Sequence, residues 1–325
     1  MITKHKKALI LGVSGQDGAY LAKFLVKKNY EVYGTTRDLN KYKLKKLAIL
    51  GVDEKINIHL LEPTDGKKLT NLIKVLKPDE IYNLSGQSSV GQSFLMPQKT
   101  FLSITLVTLN ILEAIKSLNL NCKFYNASSS ECFGDTGDLP SNEKTKFNPC
   151  SPYGVSKCSS FWLTKNYRDS YNLFSCSGIL YNHESPLRPE KFVTKKIIKT
   201  AVSIYFGKNV KLNIGDLSIQ RDWGWAPDYV EAMWLILQNS EPQDFVISTG
   251  KLSSLEFFVE NVFSYLNLSW KEYTTIDKTL FRSSELKSSF GDPQKAKSIL
   301  GWEAKTNLKD VIKKMVDFEI KNYQS

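Results

Sequence analysis

Two short stretches carry side chains that could do chemistry together. In "SPYGVSKCSSFWLTKNYRDSY" a tyrosine, Tyr153, stands four residues before a lysine, Lys157, at the start of a helical pattern. That spacing puts both on one helix face. A free phenol titrates near ~10, too high for a useful base at neutral pH. A neighbouring ammonium favours the phenolate and lowers that value. Such a pair can take a proton from a substrate hydroxyl while a hydride leaves the same carbon. In "NASSSECFGD" a carboxylate, Glu131, follows Ser129 by two residues after an apolar run. Either feature alone also fits an ordinary amphipathic helix and a serine-rich turn.

A third feature sits near the amino end. "LILGVSGQDGAYL" spaces Gly12, Gly15 and Gly18 as G-x-x-G-x-x-G between an apolar run and a helical pattern. The first two glycines let the backbone turn and approach a pyrophosphate, and the third lets the helix pack close. The helix N-terminus then faces the negative charge. A tight structural turn would look the same. After the next strand, a carboxylate would hold a ribose 2′-hydroxyl and an arginine would accept a 2′-phosphate. The chain has both, as Arg37 and Asp38, so spacing leaves NADP and NAD open.

These residues need elements to hold them. "KALILGV", "EVYGTT", "INIHLLE", "EIYNLSG" and "CKFYNASS" read as strands. Helical patterns separate them, including a long one over "TFLSITLVTLNILEAIKSLN". Regular alternation with short connections predicts an α/β fold with a doubly wound parallel sheet. Beyond about residue 180 the loops lengthen and "DFVIST" reads as an isolated strand. We therefore expect residues 1–180 to bind a dinucleotide and residues 181–325 to form a smaller α/β substrate-binding portion packed on them.

Composition sets outer bounds. The 325 residues are 42% hydrophobic and 12% aromatic, enough for an ordered core. Five cysteines form no C-x-x-C pair, which points to reduced thiols and a cytoplasmic protein. Three scattered histidines suit no usual metal site. The net charge of +11 comes from lysines spread along the chain, without a nucleic-acid-binding motif. No apolar run of membrane-spanning length appears in the sequence. We expect neither nucleic acid nor membrane as a partner.

The blocks "GVSGQDGAYLAKFL", "NASSSECFG", "SPYGVSK", "GILYNHESP", "RDWGWAPDYVEAMWLILQ" and "GDPQKAKSILGW" together resemble the extended short-chain dehydrogenase/reductase family and, within it, the GDP-mannose 4,6-dehydratases. The resemblance implies a Rossmann-type fold, bound NADP and a GDP-sugar substrate. It implies oxidation at C4, loss of water across C5 and C6, and return of the hydride to C6. Tyr153 would be the base at the C4 hydroxyl with Lys157 beside it. Ser129 would bond that hydroxyl, and Glu131 would take the C5 proton. Gly12, Gly15, Gln16, Asp17, Gly18, Arg37, Glu62, Pro63, Leu84, Ser88, Tyr153, Lys157, His183 and Arg188 would contact the cofactor. Asn182, Lys196, Arg221 and Arg282 would contact the sugar nucleotide, with Ser129 and Glu131.

Some positions depart from that pattern. Asp38 replaces a second arginine, which keeps NAD open. "DLNKYKLKKLAILG" shortens a loop that in the family reaches a neighbouring subunit, so a homodimer is expected and a tetramer is not. Leu187 and Lys99 replace an arginine and a tyrosine. Other readings are a GDP-manno-heptose 4,6-dehydratase, a reductase of the 4-keto product, or a non-catalytic nucleotide binder. A reductase needs no C5 base, so Glu131 argues against it.

Overall fold

The computed structural model describes residues 5–281 and 285–324. Seven parallel strands form the central sheet: β1 (Lys7–Leu11), β2 (Glu31–Thr36), β3 (Asn57–Leu60), β4 (Glu80–Asn83), β5 (Lys123–Ser129), β6 (Ser175–Leu180) and β7 (Phe245–Ile247). Their spatial order is β7-β6-β5-β4-β1-β2-β3. The helices used below are α1 (Gln16–Lys27), α2 (Lys41–Leu50), α3 (Gly66–Leu76), α4 (Val107–Ser117), α5 (Pro152–Tyr171), α6 (Val193–Tyr205), α7 (Ala226–Gln238), α8 (Leu255–Tyr265) and α9 (Leu308–Gln324).

The sequence of β1, "KALIL", shows why helices must cover both faces. Alternate residues point to opposite sides of a strand. Ala8 and Ile10 pack with Leu21, Tyr229 and Met233 of α1 and α7. Leu9 and Leu11 pack with Leu69, Ile73, Ile111 and Ile115 of α3 and α4. Each fully buried leucine or isoleucine stabilises the fold by roughly 1.5–3 kcal/mol. A third core lies among α6, α8 and α9, around Ile197, Phe258 and Met315.

Two expectations change. "DFVIST" is not isolated: all of β7 is buried and it pairs in parallel with β6. An apolar Phe245-Val246-Ile247 segment extends the sheet rather than standing alone. The shortened loop contains a helix, α2, whose Leu47 joins the sheet core.

The long helix exists, with a π-helical turn at Leu102–Leu106 just before α4. Against the expectation of no apolar run of membrane-spanning length, its Pro97–Ser117 stretch is long and apolar enough to cross a membrane, yet half of its apolar window is buried inside the protein. Its inner side packs on α3 and α5.

Candidate active site

Strand order reverses between β1 and β4. In such sheets ligands bind in the crevice beyond the carboxyl ends of the strands at that point. A cavity of about 520 Å³ lies there. Its wall includes Gly15 to Gly18, Leu84, Ser88, Ser129, Glu131, Tyr153, Lys157, Asn182, His183, Arg188, Lys196 and Arg221.

The turn from β1 into α1 fits a dinucleotide diphosphate. Gly12 has φ +83°, and Gly15 caps α1 without a side chain over the helix end. A Cβ on Gly18 would stand 2.4 Å from the Gly12 carbonyl oxygen, so only glycine lets α1 sit this close to the turn. The backbone N–H groups of the first helical turn are left to an anion. Arg37, Glu62 and Pro63 follow the carboxyl ends of β2 and β3 and lie outside the cavity wall. The Asp38 carboxylate accepts its hydrogen bond from the Asn40 N–H at 2.8 Å, closing its own turn. Glu62 does the same with Thr64. Lys46 of α2 does face the cavity, a residue the sequence reading did not single out.

Ser151 starts α5, accepting the Gly154 N–H at 3.0 Å, with Pro152 in the first turn. This cap sets Tyr153 and Lys157 against the end of β5. Lys157 Nζ donates to the Ala127 carbonyl at 2.6 Å, two residues before Ser129. A Cβ on Gly154 would come within 2.7 Å of the Glu131 carbonyl oxygen, so this glycine lets the serine run lie directly on α5. Ser129 ends β5, accepts the Glu131 N–H at 3.3 Å and stands near enough to the Tyr153 phenol to favour its ionised form. Glu131 is near enough for its charge to act on that phenol.

The protonation of the pair differs from the expectation. Burial pushes the Tyr153 phenol well above its ordinary value; the nearby Ser129 lowers it and the Glu131 charge raises it further. Lys157 does not reverse this. Its ammonium is turned to Ala127 and lies 5.8 Å from the centre of the tyrosine ring. Burial pulls Lys157 itself down to about 8.

The substrate side is built from distant segments. Residues Asn182–Glu184 pair in parallel with Trp223–Trp225, placing Asn182 and His183 on the wall. The Arg188 guanidinium lies 3.8 Å from the centre of the Phe192 ring, and its Nε is 3.2 Å from the buried Glu184 carboxylate. Arg221 pairs with Glu285 at 2.7 Å, and both face the cavity. Lys196 donates to the Asn213 carbonyl at 2.6 Å. Arg282 lies outside the described residues. Glu184 and Glu285 were missed by the sequence reading, although "NHES" and "RSSE" contained them.

The sheet order, the glycine turn and the Tyr153–Lys157 pair beside Ser129 define a Rossmann-fold enzyme of the short-chain dehydrogenase/reductase class. Solved structures share this fold. Pal from Bacillus thuringiensis superposes with a TM-score of 0.87 at 23% identity, covering 98% of this chain and 99% of that one. The dTDP-glucose 4,6-dehydratase of Bacillus anthracis in complex with NAD gives 0.85 at 19% identity, covering 98% of each chain.

Sequence comparison is more specific. The family model for GDP-mannose 4,6 dehydratase matches residues 9–315. GDP-mannose 4,6 dehydratase 2 of Arabidopsis thaliana is 42% identical, covering 98% of this chain and 88% of that protein. The GDP-mannose 4,6 dehydratase of Homo sapiens is 39% identical, covering 96% of this chain and 91% of that protein. The chain belongs to the GDP-mannose 4,6-dehydratase family, whose members are lyases.

Proposed function

We propose that the protein converts GDP-mannose to GDP-4-keto-6-deoxy-mannose with NADP as a recycled cofactor. The observation that carries this reading is the shared wall of Ser129, Glu131, Tyr153 and Lys157, with the Glu131 charge close enough to act on the phenol. A reductase of the same fold would have no use for a carboxylate there.

Each side chain has a distinct task. Ser129 holds the C4 hydroxyl against Tyr153, whose phenolate form would remove its proton; the positive charge of bound NADP⁺ would favour that form against the burial that raises the phenol. Lys157 fixes the serine strand through its hydrogen bond to the Ala127 carbonyl. The C4 ketone acidifies C5; Glu131 takes the C5 proton and delivers one to the departing C6 hydroxyl, and a proton from solvent returns to C5 when the hydride reaches C6. Bound NADP⁺ supplies the hydride acceptor for C4 and afterwards the donor for C6. Gly15 to Gly18 would cradle its diphosphate, Arg37 would serve the 2′-phosphate, and Arg188 and His183 would line the same cavity. Asn182, Lys196, Arg221 and Arg282 hold the sugar nucleotide, mostly from the portion after residue 180.

The protein acts in the cytoplasm as a homodimer. Phe101, Leu102 and Val155 are 42%, 48% and 45% exposed and lie together on one apolar surface of the long helix and α5. A second copy covers that surface. The shortened β2–β3 connection leaves no arm for a tetramer.

Purified protein given GDP-mannose should yield a product lighter by one water, seen by mass spectrometry, with no net use of NADPH. No loss of water from GDP-mannose, together with stoichiometric NADPH consumption when the 4-keto-6-deoxy sugar nucleotide is supplied, would replace this reading with the reductase.

A further inference from the structure

His183 is hydrogen-bonded through both ring nitrogens. Its Nδ1 is 2.7 Å from the Tyr181 carbonyl oxygen, and its Nε2 is 3.0 Å from Asp17 Oδ2. A carbonyl has no proton to give, so Nδ1 carries one. Burial alone would raise the Asp17 carboxyl, but the His183 charge and hydrogen bond, the Gln16 amide and the Arg188 charge hold it down to about 2. It is a carboxylate and accepts only. Nε2 therefore carries a proton as well, and the ring is an imidazolium.

Asp17 belongs to the first turn of α1, where the cofactor's diphosphate is expected. An uncompensated carboxylate there would repel that group. We propose that His183 is a positioning residue whose imidazolium neutralises Asp17 and pins the phosphate turn to the substrate segment, so that NADP⁺ affinity depends on its charge. This rests on the cofactor reading above.

The same turn is tied to the same segment by uncharged groups. Gln16 Nε2 donates to Asp17 Oδ1 at 3.0 Å and to the His183 carbonyl at 3.1 Å. The Ser185 hydroxyl donates to Gln16 Oε1 at 2.7 Å. The charged groups around the pair are Arg188, which opposes the imidazolium, and Lys157 of α5, which feels Asp17. Glu184 is engaged by Arg188 and by the Thr194 hydroxyl. On its other face the imidazole stacks on Tyr229, ring centres 4.6 Å apart, which adds no charge.

The test uses the cofactor-free full chain. With only three histidines, nitrogen-15 imidazole spectra can be assigned by substituting each in turn. At pH 7.5, above the ordinary histidine range near ~6.5, both His183 nitrogens should be protonated. NADP⁺ titrated into His183→Gln should bind about tenfold more weakly than into the wild type. Asp17→Asn combined with His183→Gln should recover much of that loss, because the repulsion is gone. A neutral His183 at pH 7.5, an unchanged dissociation constant in His183→Gln, or no recovery in the double variant would overturn the proposal. If the variants do not fold, the wild-type spectrum still decides the charge. Wild-type protein that binds no NADP⁺ at any pH would instead defeat the functional reading, and the affinity half of this proposal with it.

Discussion

In the proposed reaction Glu131 is the residue that a reductase of the same fold would not need, and its backbone neighbours fix where it stands. The Ser129 hydroxyl takes its N–H, and Gly154 lets its backbone rest on α5. Glu131→Gln keeps the shape but cannot remove the C5 proton. Its kcat should fall by roughly 10²–10⁴-fold, the usual range for a placed acid or base. GDP-mannose affinity, read by calorimetry, should stay within a few-fold; a comparable loss in affinity would make Glu131 a binding residue only. Asp222 offers a structural contrast. It is buried, and its two oxygens accept the Thr249 N–H and hydroxyl and the Gly250 N–H at 2.7–2.9 Å. Asp222→Asn turns a donor toward one of those donors. It should cost about 1–3 kcal/mol in urea unfolding; an unchanged midpoint would show that the site relaxes.

Among the elements, α1 is the most tightly specified. An added Cβ at Gly18 meets backbone, at 2.4 Å from the Gly12 carbonyl and 2.7 Å from Val13 Cα, and neither can swing aside. Gly18→Ala should destabilise the fold by roughly 1–3 kcal/mol and weaken NADP⁺ binding. Calorimetric melting with and without NADP⁺ checks both; an unchanged melt would mean that α1 tilts freely. The Asp17–His183 tie gives this contact a pH signature. His183 is raised in the folded state, so its contribution is complete below the unfolded value near ~6.5 and is lost as pH rises through the higher folded value. Asp17 is depressed, so its contribution is present above the unfolded value near ~3.9 and disappears as pH falls toward about 2. Stability lost between pH 7 and 9 should therefore be smaller in His183→Gln than in the wild type. Equal losses would assign the alkaline decline to other groups. Local spacing made α1, the glycine turn and the Tyr153–Lys157 helix legible in the sequence. The Asp17–His183 pair was not, because 166 residues separate its members. Nor was the raised phenol: Tyr153 and Lys157 share a helix face, but only the fold shows the ammonium drawn to Ala127.

For the whole molecule, the alternating pattern predicted the parallel sheet; β7 was read as a strand, but an apolar triplet does not reveal its partner, and its pairing with β6 was not legible. The later portion thus both adds to the first sheet and builds its own core around α6, α8 and α9. The exposed apolar surface around Phe101, Leu102 and Val155 is the molecule's proposed self-contact. Leu102→Glu should halve the mass measured by light scattering, and a wild type already monomeric at micromolar concentration would remove the dimer. The central claim is that Glu131 and Tyr153 act on adjacent carbons of one hexose. Its most direct test is the turnover of GDP-mannose in heavy water, with the product read by proton NMR. The account predicts one solvent deuteron at C5 of a 4-keto-6-deoxy product. A product retaining its original C5 proton, formed at an undiminished rate, would contradict it.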